Sequence, residues 1–158
     1  MKNLTMILIG LICPVITVFL SIDFQQNCSG YLKQAANANS VELAIERLDK
    51  AISYVERKNL THGYTSILYR TEGDNIGFWY KNLVTCRKEL AESLNSPQYE
   101  KTNVLLKTRE SLMDQTENGA VVSCPNGISR YPNNKLFAFL NTLSVILVIV
   151  GCVTAKPY

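Results

Sequence analysis

The chain has few charged residues, few cysteines and a single histidine among its 158 residues. Charged residues make up 18% of the sequence, against about 25% in ordinary soluble domains, and the net charge is only +3. A nucleic-acid-binding domain would be more basic and would carry that charge in a cluster, so we expect no nucleic-acid partner. One histidine excludes a multi-histidine metal site, and no Gly-rich phosphate-binding loop is present. We therefore expect neither a metal nor another cofactor.

Two long apolar stretches lie near the ends of the sequence. Residues 4–22 and 136–154 contain no charged side chain. A bilayer core about 30 Å thick is crossed by roughly 20 apolar residues in a helix, so both stretches match the length of a span. We expect residues 1–22 to form an N-terminal transmembrane signal-anchor, and residues 136–158 to form a second transmembrane helix with a short tail. The lipid bilayer is then the first expected partner.

The first stretch has a second interpretation, a cleaved signal peptide. Ser21 could stand directly before the cleavage point, but Phe19, two residues earlier, is bulky for that position. The stretch also exceeds the usual apolar core of a signal peptide, so an uncleaved anchor is favoured. Lys2 before the first span favours both tails in the cytoplasm. We expect an integral protein of the inner or plasma membrane, with residues 23–135 outside the cytoplasm.

The middle segment, residues 23–135, has the periodicity of helices. Between residues 40 and 58 the apolar side chains recur at helical spacing, at Val41, Ala44, Ile45, Leu48, Ala51, Ile52 and Val55. Similar stripes predict four helices, at about 23–37, 40–58, 76–95 and 97–116. No long alternating pattern favours strands, and residues 60–75 and 116–134 are expected to be irregular. The predicted fold class is all-α, with two transmembrane helices flanking a four-helix, bundle-like extramembrane domain.

Helix starts can also be located in this segment. Asn39 with Glu42 resembles a capping box, and Asp74 or Asn75 can cap the helix that follows. Ser96 followed by Pro97 is typical of a cap and a first helical residue.

Residues 60–83 hold the only histidine and the only tryptophan, and are the densest candidate for a binding site. The candidate binding residues are Tyr64, Tyr69, Arg70, Phe78 and Trp79. In one interpretation the aromatic side chains plug the open end of the bundle. In the other, Tyr64, Arg70 and Trp79 line a pocket for a small ligand or partner. We expect Trp79 to pack inward beside Leu83, and Phe78 to be covered by the loop around Tyr64 and Tyr69.

Catalysis is poorly supported. His62, Ser66 and Asp74 supply the residue types of a catalytic triad, but no Gly-x-Ser-x-Gly turn surrounds Ser66. We therefore expect no catalytic residues and no enzymatic activity.

Three cysteines lie in the middle segment. Cys28 and Cys124 are both near the predicted membrane boundaries, which makes them the preferred disulfide pair if this segment is outside the cytoplasm. Cys86 falls on an apolar helical stripe and is expected to be buried. Cys13 and Cys152, within the apolar stretches, are expected to act as small apolar side chains.

The stretches GYTSILYRTEGDNIGFWYKNL and YEKTNVLLKTRESLMD resemble segments of small, membrane-anchored helical proteins of bacteria. The resemblance covers residues 30–134 and implies a bacterial envelope setting, without a particular activity. A helical bundle between two membrane helices is also similar to the sensor modules of chemoreceptors and sensor kinases. Only three and four residues would lie across the membrane here, so we expect no signal transmission by this chain alone.

Together these patterns favour a non-enzymatic interaction module or accessory subunit of a membrane complex. Its expected partner is another protein or a second copy of the chain. The alternative is a ligand-binding sensor subunit that uses residues 60–83.

Overall fold

The computed structural model describes residues 2–117 and 119–154, and these are mostly helical. The α-helices are α1 (Lys2–Phe24), α2 (Gly30–Ala36), α3 (Val41–Arg57), α4 (Ile76–Glu92), α5 (Gln98–Leu112) and α6 (Asn134–Thr154). One small sheet pairs strand β1 (Met113–Thr116) with strand β2 (Gly119–Val122).

The first two helices form a single rod. A five-residue π-helical turn, Gln25–Ser29, connects α1 to α2, and the backbone stays helical from Lys2 to Ala36. The helix predicted at about 23–37 is thus present as a continuation of α1, although the π-turn could not be predicted. The turn buries Cys28 completely. The apolar helix and the helical domain therefore share one continuous backbone.

Helices α2, α3, α4 and α5 surround one core. Helix α2 packs against α3 and α5, and α4 packs against the same two helices. The largest fully buried side chains include Leu32, Leu48, Leu83, Leu90 and Leu112. In α3 the buried positions Val41, Ala44, Leu48, Ala51 and Val55 follow the stripe seen in the sequence. The core forms because each helix has one apolar face that must be removed from water.

The helix starts differ slightly from those predicted. Ser40, not Asn39, caps α3, because its side-chain oxygen accepts a hydrogen bond from the Leu43 amide. Asn75 caps α4 as expected, accepting from the Phe78 amide at 3.0 Å. Pro97 stands at the cap position of α5, which therefore begins one residue later than predicted.

The prediction that the helix at 97–116 extends to residue 116 is wrong. The expectation that the segment contains no strands is also wrong. Helix α5 ends at Leu112, and Met113–Thr116 pairs antiparallel with Gly119–Val122. Asn118-Gly119 is a strong signal for a hairpin turn, and Gly119 has a φ of 111°, which glycine adopts without strain. Within the segment expected to be irregular, Ile128–Arg130 also forms a short 3₁₀ helix.

Helices α1 and α6 form a separate pair. The partners of Gly10, Thr17 and Ser21 lie progressively earlier in the sequence, so the two helices run antiparallel. Away from the contact they expose large apolar side chains, including Leu8, Ile12, Phe19, Phe139, Ile146 and Val153. By length and composition, both helices can cross a membrane.

Candidate functional site

Residues 60–75 form an ordered loop between α3 and α4. Helix α3 ends at Arg57, and Asn59 turns the chain with a positive φ of 57°. An isolated antiparallel bridge between Tyr64 and Asn75 closes the base of the loop. The Thr65 amide donates to the Asp74 carbonyl at 3.0 Å, which strengthens that closure. The loop is thus held against the start of α4 while its tip projects outward.

A cavity of about 320 Å³, the Tyr64 cavity, lies between this loop and the start of α6. It is lined by Gly63, Tyr64, Ser66, Ile67, Leu68, Tyr69, Arg70, Tyr131 and Lys135. Gly63 is required at its edge, because the φ there is 99° and a Cβ would overlap the Tyr131 hydroxyl. Tyr131 can therefore approach the loop closely and complete the wall.

Two cations give the Tyr64 cavity its charge. The lining includes Arg70 and Lys135 and no carboxylate. The Arg70 guanidinium lies over the Tyr64 ring, 4.9 Å from its centroid, a distance typical of a cation–π contact. Within residues 2–117 and 119–154, neither cation forms an ion pair with an acidic side chain. The cavity is consequently suited to an anion.

Phe78 and Trp79 belong to a different concavity, the Trp79 groove, of about 340 Å³. It is lined by Glu72, Gly73, Asn75, Phe78, Trp79, Asn82, Leu83, Ser111, Asp114, Ser123, Cys124 and Pro125. Trp79 is buried as expected, and its indole nitrogen donates to the Ser123 carbonyl at 2.8 Å. That bond ties α4 to the segment after the hairpin, a contact that helical spacing could not reveal.

The expectation that the loop covers Phe78 is wrong, because Phe78 is 60% exposed. Successive helix residues are turned by about 100°, so packing Trp79 inward rotates Phe78 toward solvent. Tyr69 is 75% exposed and does not plug the end of the bundle either. The five candidate residues therefore separate into two groups, with Tyr64, Tyr69 and Arg70 at one cavity and Phe78 and Trp79 at the other.

Two of the three residue types of a catalytic triad, His62 and Asp74, have other partners. The His62 ring lies 3.1 Å from the Thr61 hydroxyl. Asp74 accepts hydrogen bonds from the Thr71 and Thr65 hydroxyls, and so organises the loop. These contacts account for Asp74 as a structural residue.

The cysteines of the domain are thiols in the structure. Cys28 belongs to the buried core and Cys124 packs against that core, and their pairing stays a prediction. Burial raises the pKa of the Cys124 thiol, and it also raises the pKa of Cys86 in α4. Cys86 is buried, as its position on the stripe predicted.

A polar cluster around Asp23, missed in the sequence, joins α1 to α3. Tyr54 donates to the Asp23 carboxylate at 2.8 Å, and the Lys58 ammonium lies 3.1 Å from the same oxygen. Asn27 donates to the second carboxylate oxygen at 2.8 Å. Burial, together with the hydrogen bond to Asp23, raises the pKa of Tyr54. The cluster fixes α3 at the point where the apolar stretch of α1 ends.

Comparison with protein-family models, with curated proteins and with solved structures finds no match for this chain. Three features of the described structure bear on function. These are the exposed apolar helix pair, the cationic Tyr64 cavity and the Trp79 groove with its exposed phenyl ring. Tyr131 and Lys135 complete the first cavity although they lie far from the loop in sequence. In the sequence, both residues stand shortly before the second apolar stretch, and that position is the signal that could have identified them.

Proposed function

We propose that this protein is a non-enzymatic, membrane-anchored helical module that holds a protein partner or a second copy at the membrane surface. In this proposal α1 and α6 span the inner or plasma membrane, and residues 23–135 form a domain outside the cytoplasm. The observation that carries the proposal is the α1–α6 pair, whose outward faces are apolar and exposed.

Exposure of these helices supports a lipid environment. The central helix of a soluble protein is buried, yet Phe19 in α1 and Phe139 in α6 are each 66% exposed. Soluble proteins rarely expose contiguous apolar surface beyond a few hundred Å². A bilayer would cover both helices along their apolar length.

The contact between α1 and α6 has the features of membrane helix packing. A Cβ at Gly10 would lie 3.0 Å from both the Ser144 carbonyl oxygen and a Val148 methyl group, so a larger residue would have to push the two helices slightly apart. Thr17 and Asn141 form a hydrogen bond between the helices. Small residues and interhelical hydrogen bonds are what associate helices in lipid, where hydrophobic burial gives no advantage.

The continuous backbone supports retention of the first span. Cleavage after Ser21 would cut the helix that runs from Lys2 to Ala36. It would also remove Gly10 and Thr17 from α6. An uncleaved signal-anchor keeps both contacts.

The exposed ring beside the Trp79 groove supports protein binding. Phe78 is 60% exposed on the rim of a concavity whose floor includes Trp79 and Leu83. Aromatic side chains are enriched in the energetically important parts of protein interfaces. We propose that an apolar side chain of the partner enters this groove beside Phe78.

Site-specific photo-crosslinking tests the partner surface in native membranes. A photo-reactive phenylalanine analogue replaces Phe78, and the control carries it at Tyr99 of α5, which is 65% exposed. The proposal predicts a discrete crosslinked product from position 78 that is absent at position 99. Equal crosslinking at both positions, or none at position 78, would contradict it. The mass of the product distinguishes a second copy from another protein.

A second function, a ligand-binding sensor subunit, is favoured by the cationic Tyr64 cavity. A small soluble anion would be held there by Arg70 and Lys135. The measurement is a thermal-stability screen of the purified full chain with small anions, compared with Arg70→Gln. A stabilising anion that loses its effect in the variant would support the sensor function.

A further inference from the structure

We propose that the Tyr64 cavity binds the phosphate of an anionic phospholipid while residues 67–69 insert into the bilayer interface. The inference rests on the proposed function, because the cavity meets lipid only if α1 and α6 span the membrane. It adds a specific ligand class to a cavity that the anchoring role itself does not require.

The level of the Tyr64 cavity relative to a bilayer follows from the register of α1 against α6. Asn141 contacts Thr17, and Lys135 precedes Asn141 by six residues while Asp23 follows Thr17 by six. Since the helices are antiparallel and each residue advances about 1.5 Å, Lys135 and Asp23 lie at nearly the same level, about 9 Å from that contact. Both apolar stretches end at this level. The cavity therefore lies where a bilayer would meet its headgroups.

The loop beside the cavity carries exposed apolar side chains. Leu68 is 91% exposed, Tyr69 is 75% exposed and Ile67 is 41% exposed. An apolar loop tip in water gains nothing from such exposure, whereas the same side chains are stabilised at a membrane interface. Tyrosine is also enriched there because its ring is apolar and its hydroxyl is polar. The tip is thus placed to enter the interface next to α6.

The chemistry of the lining matches a phosphate diester. Arg70 offers several N–H donors in a planar fork, and its stacking on Tyr64 restricts its orientation. Lys135 adds a second positive charge from the other wall. A volume of about 320 Å³ is in the range of small-ligand pockets and can hold a headgroup phosphate with part of its glycerol. A cavity that opens beside a membrane helix meets such a group at high local concentration.

Native mass spectrometry of the full chain in mild detergent tests the proposal. The probes are phosphatidylglycerol and phosphatidylcholine with identical acyl chains. The test variant is Arg70→Gln/Lys135→Gln, and the matched control is Lys81→Gln/Arg109→Gln, which removes two exposed charges from α4 and α5. We expect wild type and control to bind phosphatidylglycerol preferentially. The test variant should bind it roughly tenfold more weakly, because each cation near anionic lipid adds attraction.

Three outcomes would overturn the proposal. They are equal binding of both lipids by wild type, unchanged binding in the test variant, or an equal loss in the control variant. Inorganic phosphate and glycerol 3-phosphate are added as competitors. If either displaces the lipid at concentrations comparable to that lipid, the cavity serves a soluble phosphate instead, which overturns the lipid assignment.

A second variant covers the case in which the double substitution fails to fold. Leu68→Ser alters only an exposed side chain. In nanodiscs of phosphatidylglycerol it should reduce the amount of this lipid that stays bound to the protein, and thermal unfolding should be unchanged. Retention equal to wild type would contradict insertion of the loop. Failure of the anchoring itself is recognised separately, since the protein would then leave membranes on alkaline extraction whatever the lipid.

Discussion

Asn141 in α6 donates a hydrogen bond from its side-chain amide to the hydroxyl of Thr17 in α1, with 3.3 Å between nitrogen and oxygen. The same amide donates to the Phe137 carbonyl, and the Thr17 hydroxyl donates to the Cys13 carbonyl. A short polar chain therefore crosses between two otherwise apolar helices. It fixes their register, and with it the level of the cavity residues relative to the membrane.

We predict that Thr17 and Asn141 are energetically coupled. A double-mutant cycle with Thr17→Val and Asn141→Leu, measured by unfolding in micelles, should give a coupling of about 0.6 kcal/mol, the average for hydrogen bonds between membrane helices. Substitution of Val18, which is 57% exposed, by Thr serves as a control that leaves the pair intact. Strict additivity of the two substitutions would show that the bond contributes nothing.

Trp79 should be the more important of the two neighbouring aromatic residues for stability. Trp79→Ala removes a buried ring and its bond to Ser123, and should lower the free energy of unfolding by about 3–5 kcal/mol. Phe78→Ala, at an exposed position, should change it by less than about 0.5 kcal/mol. Thermal or denaturant unfolding of both variants checks the pair. Similar losses in the two variants would contradict the burial of Trp79 and the exposure of Phe78.

Helix positions followed from the sequence because one-sided burial leaves a period of 3.6 residues. Helix α3 was expected at 40–58 and runs from Val41 to Arg57, with the expected stripe inside. The hairpin was missed because four-residue strands are too short to show an alternating pattern. The π-turn at Gln25–Ser29 was missed because none of its five residues is a glycine or a proline that would mark an irregularity in the helix.

The candidate site was only partly predictable. Aromatic density identified residues 60–83, but a loop has no period from which the direction of a side chain can be inferred. The Tyr64 cavity is completed by Tyr131 and Lys135, which only tertiary packing brings to the loop. The position of Trp79 followed from its stripe, whereas its hydrogen bond to Ser123 depended on the fold of a distant segment.

Cys28 and Cys124 should form a disulfide in the cell if residues 23–135 are outside the cytoplasm. We expect a membrane-impermeant maleimide to label Cys124 in intact cells only after reduction. Cys28 and Cys86 should react slowly even then, because burial raises the pKa of both thiols and keeps them protonated. Labelling of Cys124 without reductant would disprove the bridge, and labelling confined to lysed cells would disprove the orientation.

Tyr54 should make stability fall at alkaline pH. Its pKa is raised in the folded state by burial and by the bond to Asp23, so the folded protein favours the neutral phenol. This contribution is complete below the ordinary tyrosine pKa of about 10 and is lost as the pH rises above it. The free energy of unfolding of wild type should therefore decline more steeply above about pH 10 than that of Tyr54→Phe. Parallel curves would contradict the assignment.

Alkaline carbonate extraction of membranes, followed by the intact mass of the retained chain, tests the two-span anchor most directly. We expect the protein to stay in the membrane pellet with residues 1–22 still attached. Release into the supernatant would contradict membrane integration by α1 and α6. A retained chain that begins near Asp23 would contradict the uncleaved signal-anchor and leave a single span.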